Sequence, residues 1–216
     1  MDVFGTVNDQ TIYLPTTPYQ VRLNCKDGGI FVGGSDPECR RTNPKDKTPI
    51  NIIKVKKFYG DLGLTTNCIW WQLFFVPSPK VDGKILPKNT VCVGYLKNMS
   101  ISTLNNLTTE IISNEKVDPA MGIFELSFTP HKGELGTYYS VNFEWRQREK
   151  DEEAQLKLIK EFWEACRNDL FDLDGTRDMY DISLLSAVEV QSLVESNKHQ
   201  LEPVQNTSNG KALTGK

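Results

Sequence analysis

Between Tyr19 and Arg148 apolar residues recur in short runs of period two, broken by Gly, Pro, Asn and Asp, which is the pattern of strands joined by turns. The runs predict strands at 19–24, 29–32, 50–59, 68–76, 90–97, 122–129 and 136–145. The last two give the clearest pattern: Phe124, Leu126 and Phe128 alternate on one, Tyr139, Val141, Phe143 and Trp145 on the next, and both rows read as a core face. Leu104, Leu107, Ile111 and Ile112 instead stand at helical spacing, predicting one helix near 102–114 with Ser100 or Ser102 as its cap. After Lys150 the period changes to 3.6: Leu158, Ile159, Phe162, Trp163 and Cys166 form one stripe behind the acidic start Asp151, Glu152 and Glu153. Ser186 and Glu189 have capping-box spacing and announce a further short helix.

This order of elements implies an α+β, mainly β fold: a small antiparallel, barrel-like sheet of the oligonucleotide-binding kind, with one inserted helix and a C-terminal amphipathic helical segment. Residues 1–150 are expected to form the β-rich domain and 151–200 an acidic helical extension packed on it. Residues 201–216 offer almost nothing to bury and are expected to be disordered. A chain of 216 residues with 38% hydrophobic and 25% charged side chains can support one such core.

Charge divides the chain more sharply than its net of -3 suggests. Residues 1–150 carry 18 basic and 15 acidic side chains, whereas residues 151–216 carry 7 and 13. Within the front, Arg40, Arg41, Lys45, Lys47, Lys54, Lys56 and Lys57 face only Asp46, a cluster that would attract a polyanion. The five cysteines are an odd number with no close pair, and the two histidines lie far apart, so neither a disulfide framework nor zinc is expected, and no cofactor. The first residues lack the pattern of a secretion signal and no apolar run is long enough to span a bilayer, so a cytoplasmic protein with no membrane partner is expected.

Catalytic signatures are sparse. Phe171-Asp172-Leu173-Asp174-Gly175-Thr176 resembles the first motif of the haloacid dehalogenase-like phosphatases, in which the two aspartates act as nucleophile and general acid/base. That chemistry needs a buried parallel strand ahead of the motif and a large α/β body behind it, and neither is foreshadowed. The string reads as an acidic turn in a non-enzymatic protein.

The feature that suggests chemistry is aromatic residues on basic strands. Along 52–58, Ile52, Lys54, Lys56 and Phe58 read as one face, and the adjacent Trp70 and Trp71 must point to opposite sides of their strand. Rings beside lysines suit single-stranded DNA or RNA, since bases stack on rings while cations neutralise phosphates. The candidate contacts are Arg40, Arg41, Lys54, Lys56 and Lys57 for phosphate, and Phe58, Trp70 and Tyr138 for stacking. The alternative is a protein–protein adaptor or structural subunit in which the Trp pair and the helix at 151–166 form an interface, including one between identical chains.

The strings KKFYGDLG, WWQLFFVPSP, LPKNTVCVGYLK, MGIFELSFTPH and GTYYSVNFEWRQRE, between about Lys54 and Glu149, resemble a group of uncharacterised proteins of filamentous cyanobacteria, a likeness that brings no assigned chemistry. In strand order and aromatic–basic texture alone the chain is similar to single-stranded DNA-binding proteins with an oligonucleotide-binding barrel. Bacterial members of that family end in an acidic tip with an apolar last residue. Here the chain ends in Gly215-Lys216, so recruitment through the tail is not expected.

Overall fold

The computed structural model describes residues 10–134, 136–166 and 179–199, with side chains to Ser196. The phosphatase-like string at 172–176 and the stretch 201–216 lie outside the described residues. Nine strands are described: β1 (Tyr19–Gln20), β2 (Arg22–Leu23), β3 (Ile30–Phe31), β4 (Thr48–Leu62), β5 (Thr65–Pro77), β6 (Cys92–Lys97), β7 (Ile123–Gly133), β8 (Gly136–Arg146) and β9 (Tyr180–Asp181). The helices are α1 (Met99–Glu110), prolonged by a wider turn at Ile111–Glu115, α2 (Lys150–Cys166) and α3 (Ala187–His199).

The main sheet runs β1-β6-β5-β4-β7-β8, with β9 added to β4 and only β1 parallel to its neighbour. Alternation along β5 sends Trp71, Leu73 and Phe75 to one side, the inner face, and Trp70, Phe74 and Val76 to the other. The inner face holds the larger core, in which Leu73, Phe75, Leu96, Phe124, Leu126, Val141 and Phe143 meet Val21 and Leu23 of the first strands and Leu104 of α1. Gly94 sits where Leu23 crosses the sheet: a Cβ there would stand 3.3 Å from Leu23 Cδ1, tighter than ordinary contact.

The frame of β4 shifts once. Ile52 pairs with Phe75 but Lys54 with Phe74, so Ile53 is an extra residue, a β-bulge. The face expected from strict alternation is therefore corrected: Ile52 joins Val55 on the inner core, while Ile53 joins the outer cluster. Lys54, Lys56 and Phe58 follow on the outer face.

Among the described residues the sheet is mainly antiparallel and stays open, with β1 at one edge and β8 at the other; no strand pairing closes it. Two other bonds tie β8 back to the front of the chain. Tyr139 N–H donates to Cys25 O (2.7 Å), and Val141 N–H donates to Ser100 Oγ (2.9 Å). Ser100, a candidate helix cap in the sequence, thus anchors α1 to β8, and the residue before the helix, Asn98, makes no side-chain cap bond.

Helix α2 covers the outer face. Ile159 and Phe162 pack with Phe74, Val76 and Val93. Its first turn enters a buried polar network instead: Glu152 accepts from Ser78 Oγ and the Arg146 guanidinium, and Gln155 donates to Pro77 O and Asn89 Oδ1 while accepting from Asn51. Every buried side-chain nitrogen and oxygen among the described residues has a partner, as a native interior requires. No helix among the described residues is long and apolar enough to cross a membrane.

Candidate ligand-binding trough

The aromatic–basic pairing expected from the sequence is present, but the protein uses most of it on itself. The Lys56 ammonium lies 5.2 Å from the Phe58 ring centroid, Lys57 5.0 Å from Trp71, Lys97 5.4 Å from Trp70 and Lys54 5.9 Å from Trp163 of α2. Phe58 and Trp70 sit opposite each other in register, are only 4% and 6% exposed, and form one cluster with Met179. Trp70 Nε1–H also donates to Gly60 O (3.2 Å). Rings so covered are closed to a base in this conformation.

The other candidate residues are dispersed. Lys54 and Lys56 share the outer face, and burial, with Lys56's charge second, lowers the Lys54 ammonium to about 8. Lys57 projects from the opposite face. Arg40 spreads over Phe31 at 5.3 Å and donates from Nη2 to Asp27 O (2.7 Å), while Arg41 is exposed beside it. Tyr138 stands at β8, 42% exposed.

Tyr138 opens onto a different feature. A hollow of about 550 Å³ is lined by Cys25, Lys26, Lys97, Met99, Ser100 and Tyr138, and a larger one of about 910 Å³ by Arg22, Lys26, Trp70, Tyr95, Lys97 and the β4–β5 turn at Leu62–Thr65. Cys25, Lys26 and Lys97 line both hollows, which therefore adjoin and together make up a trough. It runs along the β6 edge of the sheet to the seam with β8. At one end Tyr138 stacks on His131 (5.2 Å between centroids) and His131 Nε2 lies 2.8 Å from Ser140 Oγ.

The elements explain the trough. Val91 O and Val93 O accept from Tyr19 N–H and Val21 N–H, so the backbone groups of odd-numbered β6 residues point to this edge. Strand β1 pairs only as far as Val93, and the chain then turns away into β2. Beyond Val93 no strand pairs with this edge of β6 at Tyr95 and Lys97 among the described residues. Asn98, at φ 50° and ψ -121°, folds the chain sharply from β6 into α1 and so brings Lys97 and Met99 to the same hollow. Burial pushes the Cys25 thiol up, despite a hydrogen bond with Ser100 and the charge of Lys97, so it remains a thiol.

Arg22, Lys26, Tyr95 and Lys97 were not singled out by sequence reasoning. Each basic residue is isolated in its own segment, and only the departure of β1 from β6 assembles them. Asp27 and Asp36 also line the larger hollow, so its charge is mixed with a basic excess of one.

No family model, no curated protein and no solved structure matches the chain.

Proposed function

We propose that the protein binds single-stranded nucleic acid along this trough without reading its sequence. The observation that carries the reading is the sharing of Lys26 and Lys97 by two hollows, which brings Arg22, Lys26 and Lys97 together with the half-buried ring of Tyr95 and the exposed ring of Tyr138. Cations beside rings suit a strand whose phosphates need neutralising and whose bases need a surface to stack on. The bonds from β8 to the Cys25 segment and to Ser100 of α1 support a barrel-like, oligonucleotide-binding character for the domain. The stacking role expected of Phe58 and Trp70 passes in this reading to Tyr95 and Tyr138. Ultraviolet crosslinking of a thymidine oligonucleotide tests it: crosslinks mapping to peptides containing Tyr95 or Tyr138 support it, and crosslinks confined to other surfaces oppose it.

A second reading, binding of a partner protein, draws on Tyr180, Leu184 and Val188, which are largely exposed apolar residues close together in the chain. The apolar stripe of α2, the interface expected from the sequence, packs on its own sheet in this chain. A defined oligomer or complex that buries Leu184 would favour this second reading.

A further inference from the structure

Strand β7 leaves β4 after Ile50, and the same edge is taken up again at Phe58 and Tyr59 by the two residues of β9. A small number of contacts hold that segment. Ile182 N–H donates to Lys57 O (2.9 Å), Ser183 Oγ accepts from Lys57 N–H (3.0 Å), and the Asp181 carboxylate lies 3.6 Å from the Lys56 ammonium. Met179 and Ile182 are buried, whereas Tyr180, Leu184 and Val188 are exposed, the last two at 98% and 74%.

What the segment covers matters more than how it is held. Met179 closes over Phe58 and Trp70, and the small cluster they form includes Tyr95 at its margin. Trp70 and Tyr95 are also lining residues of the trough, so the covered surface and the trough adjoin on the outer face of the sheet. The covering groups occupy the places that a nucleic-acid strand would fill: a carboxylate against Lys56 and a soft apolar side chain against two rings.

We propose that residues 179–186, with α3, form a displaceable strap, and that Lys56, Phe58 and Trp70 beneath it continue the trough once it lifts. The inference rests on the nucleic-acid reading above and adds its regulation: the closed form offers the trough alone, and the open form adds one cation and two rings. The acidic balance of residues 151–216 is consistent with a segment that competes with a polyanion for Lys56.

Two full-length variants without a charge change test this. Ile182→Pro removes the N–H that binds Lys57 O, and Ser183→Ala, at an exposed position, removes the hydroxyl that holds Lys57. Hydrogen exchange over residues 55–60 and 180–186 reads the strap, and titration with a labelled thymidine oligonucleotide at two salt concentrations reads the surface. Expected are faster exchange in both variants, binding at least about tenfold tighter than wild type, and a log–log salt slope steeper by about 0.7, from one added phosphate contact. Unchanged exchange in both variants overturns the strap. Faster exchange with unchanged affinity and slope overturns the latent surface and leaves the trough reading intact. Failure of every form to bind at low salt overturns the trough reading, and this inference with it.

Discussion

Arg146 grips Glu152 through two parallel hydrogen bonds, Nη1 to Oε2 at 2.7 Å and Nη2 to Oε1 at 2.8 Å, and the carboxylate it grips is fully buried. The pair joins the end of β8 to the first turn of α2 and so fixes the helix over the outer face. Arg146 also donates from Nε to Glu125 (2.9 Å), and Lys47 reaches Glu125 at 3.3 Å. Removing one member of a buried pair leaves the other desolvated and uncompensated, at a cost of about 3–5 kcal/mol. Glu152→Ala is expected to lower unfolding free energy by about 3 kcal/mol, since Glu125 still partners Arg146. Urea denaturation followed by far-ultraviolet circular dichroism measures it.

Acid should undo the same contact. Burial alone would raise the Glu152 carboxyl, but the Arg146 guanidinium, the Glu149 N–H and the Ser78 hydroxyl outweigh it and hold the group at about 2, against an ordinary 4.5. A folded value below the unfolded one means that the stabilisation is complete above about pH 5 and is lost as pH falls from 4.5 toward 2. Stability is expected to fall by about 3 kcal/mol over that window through this group. Glu152→Gln, which cannot titrate, should flatten the denaturation midpoint plotted against pH there.

Gly28 sits at φ +66° in the turn between β2 and β3, and a Cβ on it would stand 2.7 Å from Tyr139 Cδ1. The left-handed backbone costs a side-chain-bearing residue roughly 1–2 kcal/mol, and the clash adds to it. Gly28→Ala is expected to destabilise by about 2–3 kcal/mol in urea titrations. Because Tyr139 N–H binds Cys25 O, the variant should also speed hydrogen exchange at the seam beside the trough.

Within the trough, rings and cations should separate by their salt dependence. Tyr138→Ala removes a stacking surface and is expected to weaken oligonucleotide binding by about 1–3 kcal/mol, roughly 5- to 150-fold, with the salt slope unchanged. Lys26→Ala with Lys97→Ala should instead make the slope shallower by about 1.4, since each phosphate contact on a single strand contributes about 0.7. Anisotropy titrations across a salt series distinguish the two.

The strands with one clean alternation were legible before folding. Phe124, Leu126, Phe128, Val141 and Phe143 are core residues because two-residue periodicity survives along β7 and β8 without interruption. The opposed directions of Trp70 and Trp71 followed from the same rule. The bulge at Ile53 was not legible: an extra residue in one strand is defined only by its partner, and no local signal marks it. The cover over Trp70 was also hidden, because Met179 comes from a separate segment more than 100 positions away and carries no motif. The trough itself depends on where β1 parts from β6, a property of neither strand alone. The basic–aromatic texture was therefore readable, while the question of which rings face outward was decided by long-range packing.

Titration of a fluorescently labelled thymidine oligonucleotide with the full chain, at two salt concentrations a factor of ten apart, tests the central claim most directly. Three phosphate contacts from Arg22, Lys26 and Lys97 should give saturable binding that weakens by about 100-fold across that step. Absence of binding at the lower salt, or binding indifferent to salt, would contradict it.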